Sequence, residues 1–161
     1  MFGRKKQALL KLFDSYIPES AISIEELGTA GLKDGVLVDF VFLFIDQRDL
    51  EAFKALSSLA IETATENQAI IVENVGGLIQ LLVGPRNDSI DCVEHRKKLV
   101  LLLREVLETS VRVVHGRANS RVGTVGTESR KNWGFFPLEM LAILKVLVAS
   151  APGEVTDMGD I

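Results

Sequence analysis

The sequence predicts an α+β fold with a ferredoxin-like βαββαβ core and a C-terminal extension. A ten-residue apolar run at 36–45 is typical of a buried strand, and helical spacing of apolar residues follows it over 49–64. Two further apolar runs, joined through 75–77, predict a β-hairpin. A long amphipathic helix over 91–107 then leads into an apolar strand at 111–114. The order strand, helix, hairpin, helix, strand is that of the split βαβ arrangement, with both helices on one face of the sheet.

Length and composition predict one globular domain. The chain has 161 residues, of which 47% are hydrophobic and 25% charged. A chain of this size can bury a stable core without disulfides or structural metal ions. We assign residues 36–161 to the domain and 1–35 to a lead-in segment. In the lead-in, a short amphipathic helix is predicted over 7–16 and ends before Pro18.

Charge and cysteine usage exclude several classes of function. The formal charge of −4 and the pI of about 5.3 give no general affinity for nucleic acid or for an anionic membrane. No apolar run reaches the ~18–20 residues that span a bilayer, so we expect no membrane insertion by this chain. The single cysteine, Cys92, excludes an internal disulfide and indicates a cytoplasmic protein. Cys92 lies early in a predicted helix, where a small core residue is expected.

The first strand ends at a carboxylate, Asp46. Residues 36–45 are rich in Val and Phe, and the chain leaves the sheet at Asp46 before the next helix begins near Asp49. The carboxyl end of a central strand is where ligands usually bind in open sheets. On these residues alone, a turn or helix-start role for Asp46 is favoured over a ligand site.

The hairpin and the second helix follow in order. Strands are predicted at 68–73 and 78–83, and Asp91 opens the next helix with Glu94 three residues later, as in a capping box. The buried stripe of this helix is expected to consist of Leu99, Leu102, Leu103, Val106 and Leu107.

The last third of the sequence extends the core. Glycines in 121–127 predict a short or bent strand that another backbone approaches closely, and 128–132 reads as a polar turn. Pro137 is predicted as the first residue of a helix, and 154–156 as a closing strand. The apolar residues of that helix are Leu138, Leu141, Ile143, Leu144 and Leu147.

Several motifs in their shared order resemble the class III nucleotide cyclase homology domain, the catalytic module of adenylate and guanylate cyclases. The resemblance covers roughly residues 13–157. Its motifs are Phe44-Ile45-Asp46, Val75-Gly76-Gly77, Val114-His115-Gly116, the glycine-rich 123–127 with Arg130-Lys131-Asn132-Trp133, and Pro152-Gly153-Glu154. The resemblance implies the ferredoxin-like core of that family and an extension that follows it.

The chemistry of this family requires two carboxylates that hold two divalent ions around the reacting phosphate. The resemblance places Asp46 at the first metal position. It places Gly77, which has no side chain, at the second, and Glu73 at the position of the family's base-recognition lysine. A cation is thus replaced by an anion at Glu73.

An ungapped alignment from 123–126 carries the remaining family positions onto this chain. The catalytic asparagine falls on Leu141, the transition-state arginine on Lys145, and the second base-recognition position on Gly134. A lysine keeps the charge of an arginine but lacks its planar fork. Catalytic activity is therefore not expected, and neither is a cofactor.

The resemblance implies a catalytically degenerate cyclase-like domain that acts as a dimerisation and regulatory module in signalling. Because the family's active sites form between two chains, the partner is expected to be a second copy or another cyclase-like domain. The lead-in helix and the glycine-rich 116–126 are the expected contact regions.

Two alternatives remain open. In the first, the chain is a divergent nucleotide-binding enzyme, a cyclase-type phosphorus–oxygen lyase, in which Asp46 holds one Mg²⁺ or Mn²⁺ and Lys145 contacts phosphate. In the second, it is a ferredoxin-like adaptor without cyclase descent. His115, at a predicted strand end, is expected to be a hydrogen-bonded structural residue rather than a base.

Overall fold

The structure is a computed structural model that describes residues 32–84, 91–127 and 130–161. In chain order its elements are β1 (Leu32–Ile45), α1 (Leu50–Glu66), β2 (Ile70–Val75), β3 (Leu78–Leu82), α2 (Cys92–Leu107), a short 3₁₀ turn (Glu108–Ser110), β4 (Val111–Thr127), β5 (Arg130–Pro137), α3 (Met140–Ala149) and β6 (Val155–Asp160). The helix predicted over 7–16 lies outside the described residues.

The strands form one sheet in the order β2-β3-β1-β4-β5, and β6 pairs with β4 in parallel. The first four strands pair antiparallel throughout, with β1 between β3 and β4. This is the strand order of the split βαβ arrangement, so the predicted α+β, ferredoxin-like core is confirmed. The elements β5, α3 and β6 are the C-terminal extension.

Two apolar layers lie on the two faces of β1, because successive side chains of a strand point to opposite sides. On one face, Val41, Leu43 and Ile45 pack against α1 and α2, which confirms that both helices share a face. On the other face, Phe40 and Phe42 pack with Phe135 of β5 and with α3, and ring centroids lie 5.3–6.2 Å apart. The central strand is thus buried on both sides, as its composition predicts.

Both long helices begin at the predicted aspartates. Asp49 caps α1 by accepting a hydrogen bond from the Ala52 N–H at 2.8 Å, and Asp91 caps α2 by accepting from the N–H groups of residues 93 and 94. The prediction of the buried stripe of α2 was partly wrong, because Leu102 and Val106 lie at the exposed margin of that stripe. None of the helices in the described part of the chain has the length and apolar character needed to cross a bilayer.

The prediction of two separate strands at 111–114 and 121–127 was wrong, because β4 runs without a break from Val111 to Thr127. At Gly116, near the middle of β4, a Cβ would lie 2.8 Å from the backbone oxygen of Gly159 in β6. The glycine lets β6 approach β4 closely while the pairing with β1 continues. The long continuous pairing with β1 favours an extended conformation across the residues between the two predicted strands.

The C-terminal extension also departs from the prediction. Residues 130–132 belong to β5 rather than to a polar turn, and Pro137 ends that strand opposite Ser120 instead of starting a helix. The helix begins at Met140, and it buries Ile143 and Leu147 but exposes Leu141, while Leu138 is exposed in the turn before it. Pairing with β4 decides the conformation of this segment, which its own sequence does not reveal.

Two strand boundaries shift as well. β1 begins at Leu32, four residues before the predicted start, with a bulge between Lys33 and Val36 that contains Gly35 at φ +70°. The closing strand extends to Asp160 rather than ending at 156.

Candidate functional site at the end of the central strand

Asp46 lies directly after β1 and forms a two-pronged ion pair with Arg112 of β4. Arg112 Nε donates to Asp46 Oδ2 at 2.7 Å, and Arg112 Nη2 donates to Asp46 Oδ1 at 2.8 Å. Both side chains are partly buried, with 23% of Arg112 and 17% of Asp46 exposed. The hydrogen bond to Asp46 raises the pKa of Arg112 above its ordinary value, although desolvation acts in the opposite direction. Both carboxylate oxygens of Asp46 therefore contact a cation of the same chain.

The same guanidinium joins three elements. Its centre lies 5.8 Å above the ring of Phe44 in β1, and its Nη1 donates to the carbonyl oxygen of Val148 in α3 at 3.2 Å. Arg112 stands opposite Phe44 in the β1–β4 register, so its side chain reaches the strand end without crossing the sheet. The end of β1, the start of β4 and the last turn of α3 are consequently fixed to one another.

The structure brings Gly77 to the same strand end. The Ile45 N–H donates to the Gly77 carbonyl oxygen at 3.0 Å, next to Asp46. Gly77 has φ +91°, and a Cβ at this position would lie 3.2 Å from Phe53 Cε2 and 3.4 Å from the Ile45 oxygen. The positions assigned to the two metal carboxylates are thus neighbours, but the backbone at the second disfavours any side chain.

Two other sequence-derived positions do not join this strand end. Glu73 is exposed on the edge strand β2, and β3 lies between β2 and β1, so Glu73 and Asp46 are not on neighbouring strands. Gly134 is buried in β5 opposite Gly123, whose other partner is Leu32 at the far end of β1. Glu73 and Gly134 therefore do not share one ligand site with Asp46.

Leu141 and Lys145 lie on the exposed side of α3. Two residues before α3, the Leu138 N–H donates to the Asn119 backbone oxygen at 3.0 Å, and in the last turn of α3 the Val148 oxygen accepts a hydrogen bond from Arg112. Lys145 is one turn from Val148, so it approaches the Asp46 end of the sheet but points to solvent.

No group of three or more His, Cys, Asp and Glu side chains suited to a metal ion occurs within residues 32–84, 91–127 and 130–161. Asp46 is the carboxylate at the strand end, and its two oxygens already accept charge-assisted hydrogen bonds. A divalent ion at Asp46 would have to compete with the guanidinium of Arg112 for these oxygens. The residues at this end of the sheet therefore fit an arginine better than they fit a metal ion.

A second charged group, which the sequence reading missed, is buried between the sheet and α2. Asp39 of β1 accepts a hydrogen bond from Arg96 of α2 at 2.6 Å on one oxygen, and two from Arg117 of β4 at 3.0 and 3.1 Å on the other. The side chains of Asp39 and Arg96 are each 2% exposed, and Arg96 also lies 3.7 Å from Asp157 of β6. This group links four elements of the domain.

His115 lies beside this group, in the middle of β4 rather than at a strand end. Its Nδ1 is buried and makes no hydrogen bond, and neither does the Nε of Arg96. Burial lowers the pKa of His115, although the Asp157 carboxylate acts to raise it. The expectation of a hydrogen-bonded structural histidine therefore fails for Nδ1.

Cys92 and His95 both lie on α2. Cys92 is the first residue of α2 and is half-buried. The Nε2 of His95 lies 2.6 Å from the backbone oxygen of Asn67 at the end of α1.

One sequence signal could have identified the buried charges. Asp39 and Arg112 each interrupt an otherwise apolar strand, in VLVDFVF and VRVV. A lone charge in a buried run almost always has an ionic partner in the folded chain. The identity of the partner, however, depends on which strands become neighbours.

Solved structures similar to this chain are catalytic domains of nucleotide cyclases. The catalytic core of a rhodopsin-guanylyl cyclase with converted specificity, in complex with ATPαS, has a TM-score of 0.65 at 13% identity, with 80% of each chain covered. The guanylate cyclase domain of RhGC from Catenaria anguillulae, in complex with GTP, has a TM-score of 0.63 at 14% identity, covering 78% of this chain and 79% of that one. The non-canonical dimeric guanylyl cyclase domain of the RhoGC fusion protein from Blastocladiella emersonii has a TM-score of 0.62 at 14% identity, covering 78% of this chain and 81% of that one.

The fold of this chain is therefore the class III adenylyl and guanylyl cyclase catalytic-domain fold. No protein-family model matches the sequence. No curated protein sequence matches it either.

Proposed function

We propose that this chain is a catalytically inactive cyclase-like domain that acts as a dimerisation and regulatory module in nucleotide signalling. Its partner is a second copy or another cyclase-like domain. The fold is that of cyclase catalytic domains, and the proposal concerns what the chain does with that fold. The cytoplasm is the proposed compartment, because a chain with one cysteine forms no internal disulfide.

The ion pair between Asp46 and Arg112 is the observation that carries the proposal. Two-metal phosphoryl chemistry needs carboxylate oxygens that are free to bind divalent ions. At Asp46 each oxygen accepts a hydrogen bond from Arg112, at 2.7 and 2.8 Å. A guanidinium tethered to the neighbouring strand is present at a very high effective concentration, and a metal ion in solution must compete with it. We therefore assign Asp46 a structural role and propose no resident metal.

The surroundings of Asp46 support the same conclusion. Gly77 offers no ligand atom from a side chain, and its positive φ and the nearby Phe53 ring disfavour one. Leu141, at the position aligned with a catalytic asparagine, is 74% exposed and cannot donate a hydrogen bond. Transition-state stabilisation depends on such donors, and neither Gly77 nor Leu141 has a side chain that could supply one.

Support for pairing comes from the scaffold. One of the similar solved structures is described as a non-canonical dimeric guanylyl cyclase domain, and two others of the same fusion protein are described as monomeric. A homologous fold that keeps its pairing surface can bind a partner without retaining the chemistry. We propose that pairing, and not turnover, is the function retained here.

Titration calorimetry of the full chain with ATP and with GTP, each with Mn²⁺, tests the proposal, together with an assay for cyclic nucleotide product. We expect no heat, no product and no thermal shift at millimolar nucleotide. The alternative, a divergent nucleotide-binding enzyme with Mg²⁺ or Mn²⁺ at Asp46 and phosphate at Lys145, predicts binding that Asp46→Asn and Lys145→Met both remove. Glu51→Gln, on the exposed face of α1, is the matched control.

A further inference from the structure

His115 lies among charged side chains that come from four elements. Its own side chain is 5% exposed, and in the sheet it stands opposite Val41 of β1 on one side and Asp157 of β6 on the other. Arg96 connects these elements, because its Nη1 donates to Asp39 at 2.6 Å and its Nη2 lies 3.7 Å from Asp157. The titratable and charged groups around His115 are Asp39 (β1), Cys92, Arg96 and Lys97 (α2), Arg117 (β4), and Asp157 and Asp160 (β6).

The closed structure disfavours the protonated form of His115. In the imidazolium cation both ring nitrogens carry a proton, and among the described residues the buried Nδ1 has no acceptor. The added charge would also lie near Arg96, whose Nε is buried without a hydrogen bond. Burial is the main cause that lowers the pKa of His115, and Arg96 and Lys97 act in the same direction. The Asp157 carboxylate opposes them without reversing the shift. His115 therefore binds a proton more readily once its surroundings open to water.

Strand β6 is held less firmly over His115 than helix α2 is. None of the six residues of β6 is fully buried, whereas α2 buries five side chains. Within the described part of the chain, β6 pairs with β4 and with no other strand. The 3.7 Å between Arg96 Nη2 and Asp157 exceeds the length of a hydrogen bond. Because local opening begins in elements with few buried side chains, β6 is expected to open before α2.

We propose that β6 is released from β4 at acid pH through protonation of His115, while the other strands stay paired. Release admits water to the His115 ring, so the ring can take up a proton that the closed structure disfavours. Uptake of the proton then shifts the equilibrium toward the released state. The released state exposes the β4 backbone groups over 113–119 that β6 and the residues beside it cover. Release requires neither a nucleotide nor a second copy of the chain, so it does not depend on the proposed function.

Two backbone N–H groups report directly on the release. The Val113 N–H donates to the Glu154 oxygen at 3.0 Å, and the Ile161 N–H donates to the Arg117 oxygen at 2.8 Å. Both hydrogen bonds join β4 to the residues on either side of β6, so both break when β6 leaves. The Ile45 N–H, which donates to the β2–β3 hairpin at 3.0 Å, stays bonded and is the internal reference.

Amide hydrogen exchange of the full chain between about pH 7.5 and pH 5.5, corrected for the intrinsic exchange rates, tests the release. We expect the open fraction at Val113 and Ile161 to rise by up to about tenfold, because an exposed histidine titrates near 6.5. The open fraction at Ile45 should change much less. His115→Gln should remove the pH response of the two reporters, because glutamine does not titrate.

His95→Gln is the matched control, since it replaces the other histidine, whose Nε2 contacts the end of α1 at 2.6 Å. It should keep the pH response of the wild type. A folded His115→Gln variant with an unaltered response would overturn the proposal, as would a wild-type chain in which Ile45 opens as much as Val113. If His115→Gln does not fold, nuclear magnetic resonance titration of the wild-type ring decides. A folded-state pKa of His115 at or above 6.5 would remove the driving force, and a value below it together with selective opening would support the release.

Discussion

Asp46 and Arg112 are joined by two parallel hydrogen bonds of 2.8 and 2.7 Å at the end of the central strand. The arginine also donates to the Val148 oxygen, so the carboxylate holds the last turn of α3 through the arginine. A carboxylate at the position where the cyclase resemblance implies a metal ligand is thereby part of the packing of this domain.

Replacing Arg112 by Gln should lower the midpoint of thermal unfolding by a few degrees, because the change removes both hydrogen bonds to Asp46 and the contact with Phe44. Arg112→Lys should restore only part of the loss, since a lysine lacks the planar fork. Hydrogen exchange should accelerate in the last turn of α3. Lys54→Gln, which breaks an exposed pair with Glu51, is the control and should have little effect. Unchanged exchange in α3 would contradict the link.

The buried Asp39–Arg96 pair should be costly to break from one side. Arg96→Met leaves a 2% exposed carboxylate with Arg117 as its remaining partner, and we expect a loss of about 3 kcal/mol in the free energy of unfolding. The double variant with Asp39→Leu should lose less than the sum of the two single variants, as a double-mutant cycle in urea would show. Lys98→Met is the control, because its pair with Glu94 is exposed at 3.9 Å and should contribute less than about 0.5 kcal/mol. Additive single effects would rule out the coupling.

Stability should rise with pH through the range in which His115 loses its proton. Burial lowers the pKa of His115 below its ordinary value of 6.5, against the opposing effect of Asp157. The unfolded chain then binds the proton more readily than the folded chain. The free energy of unfolding is therefore reduced at acid pH, and it increases between the lowered pKa and 6.5.

Urea unfolding at a series of pH values measures this dependence. His115→Gln should flatten the curve in that interval, because its side chain does not titrate. Burial acts to raise the pKa of Asp157, but the Gly159 N–H and the charges of His115 and Arg96 bring it below its ordinary value of 3.8, so its own contribution is lost as the pH falls below 3.8. An equally steep curve for His115→Gln would show that another group is responsible.

Alanine at Gly77 should destabilise the domain more than alanine at Gly76. Both glycines have positive φ, +91° and +59°, so each substitution carries a backbone cost of about 1–2 kcal/mol. Only at Gly77 would the new Cβ lie close to other atoms, 3.2 Å from Phe53 Cε2, whereas nothing lies within 4 Å at Gly76. Chemical denaturation of the two variants measures the difference, which should be at least about 1 kcal/mol. Equal losses would mean that Phe53 moves aside at no cost.

The core of the fold could be predicted from the sequence because its signals are local. The apolar run before Asp46, the caps at Asp49 and Asp91, and the glycines of the hairpin each act within a few residues. The extension could not be predicted in the same way. Pro137 reads locally as a helix start, but pairing of 130–137 with β4 makes it the end of a strand.

The candidate site shows the same division. The sequence identified Asp46 and placed Gly77 beside it through the resemblance, and the structure brings these positions together at Ile45. It did not identify Arg112, because Arg112 becomes a neighbour of Asp46 only when β4 pairs with β1 over a separation of 66 residues. Ion pairs across a sheet depend on strand register, which local spacing does not encode.

By itself, the sequence determined the α+β class, the order of the core elements and the absence of a side chain at position 77. Those properties follow from composition, from periodicity and from the identity of single residues. Tertiary structure alone decided that Asp46 is bound by an arginine, that Asp39 is buried between two others, and that α3 turns an apolar side outward. The physical reason is that a charge or an apolar side chain acquires its role from its neighbours in space, and in this domain those neighbours come from distant parts of the chain.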